Sequence, residues 1–166
     1  MKYMLSSLLV SIGLNFNAQV QPKAKPAIDT TALYQTALNL CYQERFKEAL
    51  PFFDTLIQLN APIEQLYFDR GMLKKHLGNN KGAIEDFTAQ IQKTPREADA
   101  YFLRGELLLA LAQYKAAYRD LKNVVRLDVS NADAHCMLAQ AAKELGKTTK
   151  AKKEKLTCEQ IKQTGH

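Results

Sequence analysis

The chain has 166 residues, 46% hydrophobic and 24% charged, with a formal net charge of +6. That length suits one domain with a core, and the balance excludes a disordered polar chain or a collagen-like one. Tryptophan is absent, and Ala, Leu, Lys, Gln and Glu recur throughout; these residues fill helices at little propensity cost, so an all-α class is expected.

At the start, Lys2 precedes an apolar stretch over residues 4–14, after which residues 15–18 turn polar and small. This is the order of a secretory signal peptide over residues 1–18. The stretch falls short of the ~20 apolar residues that cross a bilayer as a helix, so cleavage after Ala18 is expected rather than a permanent anchor. Phe16 is larger than the cleavage pattern favours. Residues 19–29 contain Pro22 and Pro26, lack a periodic apolar pattern and read as an extended tether. The mature chain is therefore expected in the periplasm or cell envelope, where disulfides persist.

From residue 30 the chain superimposes on itself at a shift of 34 residues. One column holds Ala37, Gly71, Gly105 and Ala139; another holds Ala49, Ala83, Ala117 and Ala151; a third holds Phe53, Phe87, Leu121 and Lys155. A bulky column near each start holds Leu33, Tyr67, Tyr101 and His135. Small residues at one level and large ones beside them suit two helices that cross closely. Gly78, Ala112 and Gly146 mark the end of a first helix, where glycine closes a helix in the left-handed conformation. Pro62 and Pro95 fall between units, where no helix interior has to accept them. The units are 30–63, 64–97, 98–131 and 132–165, each a helix pair.

These columns resemble the tetratricopeptide repeat family over about 136 of the 166 residues. Unit two carries the pattern best, with Tyr67, Gly71, Gly78, Ala83, Phe87 and Pro95; unit three has Val129 where proline is expected, and unit one has Ala61 with Pro62 one place late. The resemblance implies a right-handed superhelical stack of four antiparallel helix pairs, an α-solenoid. The second helix of unit four carries many lysines, with Ala151, Leu156, Cys158 and Ile161 as its expected inward stripe, and reads as the polar cap that a repeat stack needs.

The resemblance also implies work as a protein-interaction module, without catalysis, cofactor or metal, that takes a peptide or partner helix on its concave face. First helices line that face in the family. Carried onto this chain, the expected partner-binding residues are Tyr34, Leu38, Phe68, Met72, Phe102, Glu106, Leu109 and Gln140, with Cys41, Lys75 and Cys136 beside them. Packing between adjacent units is the alternative role for any one of them. The carboxylate clamp of the chaperone-binding subtype is absent: its positions read Tyr34, Leu38, Asp69, Asp99 and Leu103. An alternative function is structural, as an assembly subunit of an envelope complex that uses the outer faces or the basic cap.

Other signals carry less. Residues 141–148 resemble a phosphate-binding loop, but they fall where every unit turns from one helix to the next, and that motif needs a preceding strand. His76 and His166 lack partners at ligand spacing, and His135 in the bulky column reads as packing. Glu85, Asp86, Asp99 and Asp120 read as solvated helix faces. The surplus lysines concentrate in the cap, so no nucleic-acid partner is expected, while contact with an anionic membrane surface or an acidic partner stays open. Oligomeric state is not legible. Cys136 and Cys158 lie on opposite helices of unit four, where a hairpin could bring them within disulfide reach; a groove-facing Cys136 is the alternative.

Overall fold

The computed structural model describes residues 28–164, which form eight α-helices and no strand. These are α1 (Thr30–Tyr42), α2 (Phe46–Gln58), α3 (Leu66–His76), α4 (Asn80–Lys93), α5 (Ala98–Ala110), α6 (Tyr114–Leu127), α7 (Ala132–Glu144) and α8 (Thr148–Thr164). The expected signal peptide, residues 1–18, lies outside the described residues, as does the tether up to residue 27. Each helix packs on the next along the chain, and α5 also touches α7. The architecture is an all-α repeat stack.

Why the odd helices stop where they do is visible in the backbone. Glu44, Gly78, Ala112 and Gly146, spaced 34 residues apart, all have positive φ, at 58°, 75°, 56° and 70°. At each turn the next amide reaches back to close the helix: Arg45 to the Leu40 carbonyl, Asn79 to Lys74, Gln113 to Leu108 and Lys147 to Ala142. This is the Schellman arrangement, which satisfies carbonyls left over at a helix end. Asp29, Asn79 and Asn131 cap α1, α4 and α7 with side-chain oxygens that accept helix amides. Pro51 sits inside α2, which costs that helix one amide donor at a solvent-exposed position.

The small and large columns meet as the spacing suggests. A Cβ added to Gly71 would stand 2.8 Å from Phe87 Cε1, and one on Gly105 would stand 3.1 Å from Leu121 Cγ. Phe53, Phe87 and Leu121 are fully buried, so each glycine or alanine makes room for the ring or branched chain from the paired helix. In unit four Lys155 occupies the large column and turns outward. None of the apolar core clusters draws a side chain from α8.

Two readings of charged and apolar residues are corrected. Asp86 and Asp120 are buried, at 2% and 5% exposure, while Glu85 and Asp99 are exposed. Arg70 grips Asp86 with Nε and Nη2 at 2.9 and 2.6 Å and reaches Asp54 of the preceding unit with Nη1 at 2.7 Å. One repeat later Arg104 grips Asp120 at 2.7 and 2.8 Å and donates to Thr88 of the preceding unit at 2.9 Å. Each arginine thus ties its partner helix and the previous unit together with charge-assisted bonds. Leu156, expected inward on α8, is 56% exposed. Cys158 is buried and Ala151 and Ile161 partly so, as expected, but a charged group joins them inside: buried Glu154 faces His135 Nδ1 at 2.5 Å and Lys150 Nζ at 2.7 Å.

Unit four therefore holds together differently. Where Arg70 and Arg104 stand in earlier units it has Leu138, and Glu154 replaces the aspartate. Burial alone would raise the Glu154 carboxyl, but hydrogen bonds and charge from Lys150 and His135 outweigh it and hold the group below its ordinary value. His135 is accordingly more than packing, since its other ring nitrogen lies 3.2 Å from the Val129 carbonyl. A Cys136–Cys158 disulfide, with Cα atoms 5.4 Å apart, joins α7 to α8. Closing a loop of 22 residues contributes about 3 kcal/mol in the chain-entropy account. Cys136 is not a free groove thiol.

Candidate partner-binding face

The first helices of the pairs, α1, α3, α5 and α7, carry every residue expected to bind a partner. Side chains bridge them directly. The Tyr34 hydroxyl on α1 donates to the Asp69 carboxylate on α3, and Lys75 on α3 pairs with Glu106 on α5. Glu106 is thus engaged by its neighbour. Tyr34 also packs edge-on to Phe53, ring centroids 6.2 Å apart, and Phe68 packs on Phe87 at 5.8 Å.

Half-burial is the common condition of this set. Leu38 leans on the core of the first pair, Phe68 and Met72 on the core around Phe87, and Phe102 and Leu109 on the core around Leu121. Gln140 alone is exposed. The aromatic column therefore serves both roles weighed from the sequence: one side of each residue packs and the rest stays accessible.

Only some of the set converge on one concavity. A hollow of about 540 Å³ opens between α1 and α3, lined by Leu38, Cys41, Tyr42, Phe46, Asp69, Met72 and His76 among others. Leu38 and Met72 come together there, whereas Phe102, Glu106, Leu109 and Gln140 line other stretches of the stack. His76 stacks on Phe46 at 4.8 Å and forms one wall. Sequence reasoning missed Phe46 and His76 as lining residues and met Asp69 only as a departure from the carboxylate clamp. The 34-residue columns were a usable signal for Phe46, but Asp69 and His76 reach the hollow only through the approach of α1 to α3.

Burial first, and then the nearby Glu97 carboxylate, push the Asp69 carboxyl above its ordinary value, against the hydrogen bond from Tyr34. Burial and the Asp69 charge push the Cys41 thiol up as well. A thiol raised in this way is not primed as a nucleophile, because the thiolate is the reactive form. Among the described residues no group of three or more His, Cys, Asp or Glu side chains is arranged to hold a metal ion.

The family model of the tetratricopeptide repeat matches residues 98–130 and 132–163. Those two stretches of the chain are tetratricopeptide repeats. Solved structures of this fold superpose over most of the chain. MamA from Desulfovibrio magneticus RS-1 aligns at TM-score 0.73 with 19% identity, over 82% of this chain and 77% of that one. Another MamA structure gives a TM-score of 0.77 at 11% identity, over 81% and 74%. YrrB, described as a tetratricopeptide repeat protein with an unusual peptide-binding site, gives 0.72 at 20% identity, over 80% and 69%. No curated protein matches the chain by sequence. Tetratricopeptide repeat proteins generally serve as non-enzymatic scaffolds in protein–protein interaction.

Proposed function

We propose that this repeat protein is an exported, non-catalytic adaptor that holds an extended peptide or partner helix against its first-helix face. Binding is centred on the hollow between α1 and α3. The observation that carries the reading is the convergence of Leu38, Met72 and Phe46 around that hollow, with Asp69 at its edge. Such a site offers apolar area for affinity and a few polar groups for orientation, the usual division of labour in recognition. YrrB supplies a precedent for peptide binding on the same fold. The Cys136–Cys158 disulfide supports export to an oxidising compartment, since such bonds are rare in the reducing cytosol.

The test is site-specific photo-crosslinking in envelope extract. A crosslinking residue is placed at Leu38 or Met72 and, as a control, at Lys47 on the exposed side of α2. Adducts with one partner from the first two positions and none from the third are expected. Adducts from Lys47 alone, with none at Leu38 or Met72, refute the assignment of the hollow.

A further inference from the structure

Charge is spread unevenly over the outer faces of the second helices. Within α6 the exposed positions are Lys115, Arg119, Lys122 and Arg126, followed by the terminal Leu127. Spacings of four, three and four residues put those cations in one stripe along the helix. The stripe is about 16 Å long. None of the four takes part in an ion pair among the described residues. The one acid of α6, Asp120, is turned inward and held by Arg104. Equivalent positions of α4 carry Lys81, Glu85, Thr88 and Gln92, so the repeat itself does not require the stripe.

The neighbouring cap extends the same field. Lys147, at the entry to α8, places its Nζ 4.0 Å from the Tyr118 ring of α6, which joins the two outer faces. On α8, Lys152 and Lys153 are exposed and unpaired among the described residues, with Leu156 exposed close by in sequence. Beyond the end of α6, Val129 is 73% exposed. The surface thus combines apolar side chains with at least six cations outside any ion pair among the described residues, while the acids beside it, Asp128 and Glu159, are engaged by Ser130 and Lys155.

We infer that the outer face of α6 and α8 docks onto an anionic lipid surface. Clustered lysines and arginines gain from the negative potential of anionic headgroups, and the gain disappears with distance and salt. A fluid layer needs no register, which matches a stripe without fixed hydrogen-bond geometry, and the exposed Leu156 and Val129 add apolar area for the headgroup layer. Nucleic acid is the less suited polyanion: Tyr114 and Tyr118 are half-buried, so the stripe presents no aromatic platform for bases. This inference does not depend on the hollow between α1 and α3, which lies on other helices.

The experiment is vesicle co-sedimentation of the chain from Gln19, which retains every described helix and lacks the apolar residues 4–14. Binding to phosphatidylglycerol vesicles at 50 mM salt, absence of binding to phosphatidylcholine vesicles, and loss of binding at 300 mM salt are expected. The combined change Lys115→Gln, Arg119→Gln, Lys122→Gln and Arg126→Gln, all at exposed positions, should weaken binding at least tenfold with the melting temperature unchanged. As a control for net charge, Lys47→Gln, Lys81→Gln, Lys93→Gln and Arg96→Gln together, all at exposed positions on and beside α2 and α4, should leave it within twofold. No binding to anionic vesicles at 50 mM salt, equal losses in the two variants, or binding to duplex nucleic acid or polyglutamate without binding to vesicles would each overturn the inference.

Discussion

At the scale of single residues, the Tyr34–Asp69 contact ties the candidate site to stability. Tyr34 donates to a carboxyl that burial and Glu97 hold above its ordinary value. A carboxyl raised in the folded state stabilises fully below its unfolded pKa, near 4, and that contribution is lost as pH rises through the folded value. The wild type therefore carries a penalty at neutral pH that it lacks in acid. Asp69→Asn keeps an oxygen acceptor for Tyr34 and removes the titration. Thermal melts should show the variant gaining on the wild type between pH 4 and pH 7; a difference that stays constant with pH would contradict the burial account. Little of this was legible in the sequence, because Asp69 looks like any other acid on a helix until α1 and α3 are brought together.

Helix ends set the energetics at the scale of the element. The same left-handed position is filled by Glu44, Gly78, Ala112 and Gly146, and two of these four lack the residue that adopts it without steric cost. Replacing Ala112 by glycine should stabilise by about 0.5–1 kcal/mol, raising the melting temperature by roughly 2–4 °C. Differential scanning calorimetry checks this, and a lowered melting temperature would show that the turn does not carry the strain assigned to it. The position was readable from the 34-residue spacing alone, since Ala112 falls in the glycine column. α8 was read less well: its lysines mark a cap, but its inward face rests on Glu154 and Cys158, and the apolar stripe expected through Leu156 is broken.

Across the whole molecule, the arginines of α3 and α5 couple one unit to the next. A repeat stack is stable to the extent that its unit interfaces are, because each unit touches only its neighbours. Arg104→Met leaves Asp120 buried without its partner, and such losses cost about 3–5 kcal/mol. Adding Asp120→Leu should recover most of it, because a well-packed apolar pair can replace a buried ion pair. Urea unfolding followed by circular dichroism measures both; a single variant within 0.5 kcal/mol of the wild type would show that the pair is not what couples the units.

The sequence by itself determined the helix pairs, their 34-residue period and the left-handed stops, because these depend on residues close along the chain or on a pattern that repeats. Tertiary structure alone decided which charges are interior. Asp86, Asp120 and Glu154 lie 16 to 19 residues from the arginines and histidine that hold them, and in one dimension a buried carboxylate has the same neighbours as a solvated one. It also decided that Cys136 pairs with Cys158 rather than facing the groove, and that Leu38 and Met72 share a hollow while Phe102 and Gln140 do not. Those outcomes follow from the angle and spacing at which helices meet, which the packing of all the units sets together.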